Sequence, residues 1–217
     1  ICFFNYFSLV HYLSSLNYLN LTTKKITKTM GLILASSSPR RKRILSDLGY
    51  NFECLSPNID ESNINNLKPI DYVLNISEKK AFHVWKSNTN SFVLSGDTII
   101  DFKGEIIGKP SSKSDAFNII QELSNKTHSV ISGLTLYYEK KAINIYDKTN
   151  VTFKDLSENT IQNYIESFDV LDKAGAYNIE DAENILIKHI DGCYNNIVGF
   201  PLRKFKMSKI KTILENQ

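Results

Sequence analysis

The sequence predicts an α/β fold built on a mixed β-sheet flanked by helices, and three observations predict it. Short apolar strand-like runs alternate with segments whose apolar residues recur at helical spacing. Two long β runs, 128–138 and 142–153, are joined by Glu139-Lys140-Lys141 as a central hairpin, which a purely parallel sheet does not contain. The 217 residues suffice for one sizeable domain or two small lobes sharing a core.

The elements follow in order from Met30. Residues 32–35 form a short apolar strand that runs into Ser36-Ser37-Ser38-Pro39. Ser38 suits a helix N-cap and Pro39 a first helical position, and the helix places Ile44, Leu45 and Leu48 on one face before Gly49 closes it. A strand at 52–55 leads to a polar loop holding Asp60 and Glu61. Pro69 opens a helix to about residue 85, with Val73, Ile76 and Val84 on a shared face. Strand-like runs at 92–94 and 99–100 flank Gly96-Asp97-Thr98, and a turn at Lys103-Gly104 returns the chain through 105–107 to Gly108-Lys109-Pro110. A helix with Phe117, Ile120 and Leu123 precedes the long hairpin. Ser157 then caps a helix carrying Ile161, Tyr164, Ile165 and Phe168; a glycine-containing loop, a strand at 185–190 and a last helix from Pro201 through Ile213 complete the chain. There are no internal repeats.

Residues 1–29 stand apart. They are rich in Phe, Tyr, Leu and Asn, and their apolar runs are broken by Asn5, Asn17 and Asn20. They read as an extension (upstream translation, a targeting segment or an unstructured tail), with Met30 as the working start and 30–217 as the folded domain. Lys24, Lys25 and Lys28 account for the whole formal charge of +3, so the body is neutral. A neutral body argues against non-specific nucleic-acid binding, and any polyanion site must be local. Cys2, Cys54 and Cys193 form no CxxC pair, and the four histidines have no HxxH or HExxH spacing. Neither a disulfide framework nor a zinc or histidine metal centre is expected. The free thiols and the lack of a clean signal or membrane span predict a cytoplasmic location.

Several residues carry chemistry. Arg40, Arg41, Lys42 and Arg43 place four cations in a helix's first turn, where the macrodipole favours anions. Together with backbone N–H groups and the hydroxyls of Ser36 and Ser38 they make a phosphate cradle; the competing reading is an exposed basic turn. Asp97 lies between apolar runs, at the end of a strand on this reading, where a carboxylate is costly unless it pairs or binds metal. It either holds a cation and takes a proton from water, or caps a turn. Lys80 shares the Val73–Ile76–Val84 face and either reaches a site or snorkels to solvent. Lys109 and the acidic pair Asp60–Glu61 read equally as site or surface. Two or more carboxylates for a metal and several cations for phosphates form the combination that attack on a phosphoanhydride requires.

These stretches resemble a known family. Ser36-Ser37-Ser38-Pro39-Arg40-Arg41, Glu78-Lys79-Lys80-Ala81, Gly96-Asp97-Thr98, Gly108-Lys109-Pro110, Asp172-Lys173-Ala174-Gly175-Ala176-Tyr177 and Tyr194-Asn195-Asn196-Ile197-Val198-Gly199-Phe200-Pro201 are similar, in order, to the signatures of Maf-type nucleotide pyrophosphatases. The resemblance implies a fold like that of inosine-triphosphate pyrophosphatases, with two lobes around a cleft, and often a homodimer. It implies hydrolysis of nucleoside triphosphates between the α and β phosphates with Mg²⁺ or Mn²⁺. By position, Asp97 would accept the proton of the attacking water, Glu61 would hold metal with Asp97, and Ser38, Arg41, Lys80 and Lys109 would grip the triphosphate.

The resemblance also bears on the base. Arg40 and Thr98 match a subgroup associated with dTTP and UTP, whereas a sister subgroup associated with 7-methyl-GTP has Trp and Gln there. Glu180-Asp181 departs from the Gln-Gly of the pyrimidine group and resembles the sister subgroup. An ionised glutamate only accepts hydrogen bonds, whereas glutamine also donates. Arg43 departs from an acidic residue common at its place. Pyrimidine triphosphates are the expected substrates; a 7-methyl-GTP pyrophosphatase, a nucleotide-binding regulator of division without turnover, and a phosphatase releasing single phosphates are the alternatives.

Overall fold

The computed structural model describes residues 30–60 and 67–216. The 1–29 extension and Glu61 lie outside the described residues. Seven strands form one sheet: β1 (Leu32–Ala35), β2 (Glu53–Leu55), β3 (Phe92–Phe102), β4 (Glu105–Ile107), β5 (Thr127–Tyr138), β6 (Lys141–Phe153) and β7 (Ile187–Asp191). Their order is β2-β1-β3-β5-β6-β7, with β4 also beside β3. β1 runs parallel to β2 and β3, and all other pairs are antiparallel. The sheet is therefore mixed and flanked by helices, as the sequence predicts.

The period of two along each strand sorts residues onto two faces. Leu32, Leu34, Leu94, Ile100, Phe102, Val130, Leu134 and Leu136 enter the main core. That core also takes Ile44 and Leu45 of helix α1 (Pro39–Asp47), Ile120 and Leu123 of α3 (Lys113–Leu123) and Ile161 of α4 (Glu158–Ser167). Ile33, Ala35, Val93, Ile99 and Ile131 face the other way and pack beneath α2 (Pro69–Trp85), against Val73, Ala81, Val84 and Trp85. Full burial of Val73 and Ile76 contributes roughly 1.5–3 kcal/mol each and holds α2 down. Gly133 permits the close approach: a Cβ there would lie 3.3 Å from the Val73 carbonyl oxygen.

The structure corrects four boundary expectations. Gly96-Asp97-Thr98 does not interrupt a strand, because β3 is continuous from Phe92 to Phe102. Asp97 is therefore mid-strand and not at a strand end. The expected last helix is two, α7 (Leu202–Lys206) and α8 (Lys209–Glu215), because Ser208 accepts from Lys211 N and caps a new start. The glycine-containing loop holds a 3₁₀ turn (Ala174–Ala176) and the short α5 (Ile179–Ala182), so β7 begins two residues later than expected; α6 (Tyr194–Val198) follows it. Among the described residues no helix is long and apolar enough to cross a membrane.

Candidate active site

Pairing along β3 leaves a gap on one of its edges. β1 covers residues 92–95 and β4 covers 100–102, while β5 pairs the opposite edge throughout. Residues 96–99 thus face an opening between β1 and β4, and a cleft of about 990 Å³ lies there. That is room for a nucleotide. Because successive strand residues point to opposite faces, the gap presents Asp97 towards α2 and Thr98 towards α1.

On the α2 side, Lys80 Nζ donates to Asp97 Oδ1 at 2.8 Å, with the two side chains 14% and 15% exposed. One turn before Lys80, Ser77 accepts at its carbonyl oxygen from Ser95 Oγ (2.5 Å), which pins α2 to β3 beside the pair. Asp97 Oδ2 bonds no described residue. A largely dry, charge-compensated carboxylate with one open oxygen results, and it is costly to build without a task.

On the α1 side, Arg41 spans three segments. Nε donates to Gly199 O at 2.8 Å, Nη1 to Ser36 Oγ at 3.3 Å and Nη2 to Thr98 Oγ1 at 2.9 Å. Ser132 Oγ donates to Asn196 O (2.7 Å), so the 2.8 Å contact between Thr98 and Ser132 has Thr98 as donor. The bonds therefore run in one direction, Arg41 to Thr98 to Ser132 to the Asn196 carbonyl, and fix Thr98 in place. Gly96 makes this possible, since a Cβ there would sit 3.0 Å from Arg41 Nε and 2.9 Å from Gly133 O. Ser38 Oγ caps α1 by accepting from Arg41 N, and Ser36 Oγ accepts from Ser38 N. The expected cradle is thus a tightly braced loop.

The far walls bring more charge. Lys109 Nζ meets Asp172 Oδ1 at 2.6 Å across the cleft mouth, and this hydrogen bond holds the Asp172 carboxyl below its usual range. Gly175 N donates to Gly108 O, joining the two loops behind that pair. Arg40 Nη1 donates to Asn178 Oδ1 (3.0 Å), whose Nδ2 donates to Asp181. Arg40 Nε is buried without a partner. Arg43, one turn along α1, pairs with Glu180 of α5. Tyr177 lines the cleft wall, its hydroxyl 2.8 Å from the buried His128 Nε2. Burial pushes the His128 imidazole down to about 4 and the Tyr177 hydroxyl up.

Residues 31–208 match the family model described as Maf-like protein. The chain belongs to this family. It is 39% identical over 173 residues to a dTTP/UTP pyrophosphatase of Bacillus anthracis (strain CDC 684 / NRRL 3495), covering 80% of this chain and 91% of that one. It is likewise 39% identical to a dTTP/UTP pyrophosphatase of Bacillus pumilus (strain SAFR-032), covering 80% and 92%. Among solved structures it is similar to the Staphylococcus aureus Ham1 protein, with TM-score 0.39, 11% identity and coverage of 58% and 72%.

In this Maf-like chain all six stretches singled out in the sequence contribute to the cleft lining. Ser36, Ser38, Arg40, Arg41, Lys80, Asp97, Thr98, Lys109 and Glu180 are brought together there; Glu61 lies outside the described residues. Sequence reasoning missed Asn178, Ser132, Asp172 and the role of Arg43. Ser132 left one signal, a hydroxyl inside the apolar run Val130 to Leu134. Arg43 left a signal in its charge and its departure from an acidic residue, but its pairing with Glu180, 137 residues away, left none.

Proposed function

We propose that this chain hydrolyses nucleoside triphosphates, dTTP and UTP foremost, between the α and β phosphates, with a divalent cation as cofactor. The observation that carries the reading is the Lys80–Asp97 pair, set in the sheet gap inside a cleft bordered by Arg40, Arg41, Arg43, Lys109 and Lys173. The names of the relatives support the pyrimidine substrates.

Asp97 Oδ2 takes a proton from water as the water oxygen bonds to the α phosphorus; the bond from that phosphorus to the bridging oxygen breaks, and pyrophosphate leaves. Lys80 holds Asp97 in place and compensates its charge. Lys109 and Arg40 gather the polyphosphate with the Ser36–Ser38 loop at the start of α1, and Arg41 keeps that loop, β3 and the Gly199 turn in register.

The donor set fits a hard divalent cation of the magnesium type. Carboxylate oxygens such as those of Asp97, completed by substrate phosphates, are the donors that such an ion takes. Asp97 and Glu61 would hold it, and it would neutralise phosphate charge.

The test is a product assay on the full chain with dTTP, UTP, CTP, GTP, ATP, ITP and 7-methyl-GTP, with Mg²⁺ and with chelator. Pyrophosphate plus monophosphate in Mg²⁺ only, fastest from dTTP and UTP, is expected. Release of single phosphates, or silence from a folded protein, would contradict the reading.

A further inference from the structure

Where α1 meets α5, the cleft wall carries two polar side chains that no step above uses, Arg43 of α1 and Glu180 of α5. Glu180 accepts from Arg43 Nη2 at Oε1, and Glu180 Oε2 bonds no described residue. The remaining N–H groups of Arg43 bond no described residue either. Both side chains line the cleft. They are 55% and 37% exposed, and an exposed ion pair contributes little to stability. Nor is it needed as a brace, because Arg40, Asn178 and Asp181 already tie α1 to α5.

The pair has a definite hydrogen-bonding pattern: one open carboxylate acceptor beside open guanidinium donors. A glutamine offers the same combination, one donor and one acceptor, from a single side chain. A lone carboxylate offers two acceptors, which suits the adjacent N1–H and 2-amino donors of guanine. Uracil and thymine instead present an N3–H flanked by carbonyl oxygens, and so require an acceptor with a donor next to it.

We propose that Arg43 is a specificity-determining residue: paired with Glu180, it completes a two-residue reader of the N–H/carbonyl edge of uracil and thymine. Arg43 engages one carboxylate oxygen, leaves the other for N3–H, and donates to the neighbouring carbonyl. A guanine, with two adjacent donors, would set one of them against the guanidinium donors of Arg43. The inference rests on the proposed pyrophosphatase reading and names the base-selecting device of that same site.

The experiment measures kcat/KM of the full chain on UTP, dTTP and GTP, with pyrophosphate as readout, for wild type, Arg43→Met, Arg43→Lys, Glu180→Gln and the Arg43→Met/Glu180→Gln double variant. Melting temperatures are recorded alongside. Loss of one charge-assisted hydrogen bond to the base lowers the UTP-to-GTP ratio about tenfold in Arg43→Met. Arg43→Lys retains most of the ratio. The double variant recovers it, because glutamine supplies donor and acceptor alone.

An unchanged ratio in Arg43→Met overturns the proposal. So does an equal loss on all three substrates with a lowered melting temperature, which is the signature of a brace. A double variant no better than Arg43→Met also overturns it. A wild-type protein silent on every triphosphate overturns the pyrophosphatase reading itself, whereas turnover without preference for UTP and dTTP over GTP overturns only the base reader.

Discussion

Asp97 and Thr98 are consecutive in β3, yet one is held by Lys80 of α2 and the other by Arg41 of α1, on opposite faces of the sheet. Both line one cleft because, among the described residues, the edge of β3 away from β5 has no strand neighbour between the end of β1 and the start of β4. A gap four residues long gives two helix layers access to the same space. The carboxylate and its ammonium come from one layer and the Ser36–Ser38 loop with Arg41 from the other.

Lys80 is expected to act through Asp97. Lys80→Met leaves an uncompensated carboxylate at a site 15% exposed. It should lower kcat/KM by about two orders of magnitude and stability by roughly 1–3 kcal/mol. Lys80→Arg should recover stability more than activity, because the planar fork does not reproduce a point charge. Steady-state kinetics and denaturant unfolding check both.

Gly96 should tolerate no side chain. The Cβ of Gly96→Ala would meet Gly133 O and Leu134 Cδ2 at 2.9 Å and Arg41 Nε at 3.0 Å, and a backbone oxygen paired within the sheet cannot yield. A loss of about 1–3 kcal/mol is expected, with activity falling as Arg41 is displaced. Unchanged unfolding midpoint and kcat/KM would contradict this account of Arg41.

Lys109 sits at the mouth and is 62% exposed, so Lys109→Met should leave stability within about 0.5 kcal/mol. It should raise KM for triphosphates about tenfold with a smaller effect on kcat, since a phosphate contact made equally in ground and transition states affects binding most. An unchanged KM would place the triphosphate elsewhere.

His128 predicts an acid limit to stability. Burial lowers its folded pKa to about 4 from an unfolded value of 6.5, so between those values the unfolded chain binds more protons than the folded one. Stability therefore rises with pH across that window and is complete above it. The total is on the order of 3 kcal/mol. His128→Phe should flatten that slope when unfolding is measured from pH 4 to 7; an equal slope would exclude His128 as its source.

Much of this was legible in the sequence, and the reasons differ by element. Ser38-Pro39 marks the start of α1 because cap and first-turn chemistry are local. Pro69 and the Val73–Ile76–Val84 spacing mark α2 for the same kind of reason. Gly96-Asp97-Thr98 misleads, because polar residues and glycine usually end a strand, whereas here β5 pairs them on one edge while the other edge faces the cleft. The alternation of Phe92, Leu94, Thr98, Ile100 and Phe102 with Val93, Ser95, Asp97 and Ile99 was the available signal. Ser208 carried the break between α7 and α8, in the same language that Ser38 speaks. The basic and hydroxyl residues that line the cleft could be gathered as a set from their types. What joins them could not, because Arg41 to Gly199, Arg40 to Asn178 and Arg43 to Glu180 each span more than a hundred residues.

The most direct measurement is turnover of UTP and dTTP by the full-length Asp97→Asn protein, with pyrophosphate as readout and the melting curve compared with wild type. An amide keeps the shape and loses the proton acceptor. A cooperative unfolding transition near that of wild type, with kcat lower by about three orders of magnitude or more, is the predicted result. Near-wild-type turnover in the folded variant would contradict the account at its centre.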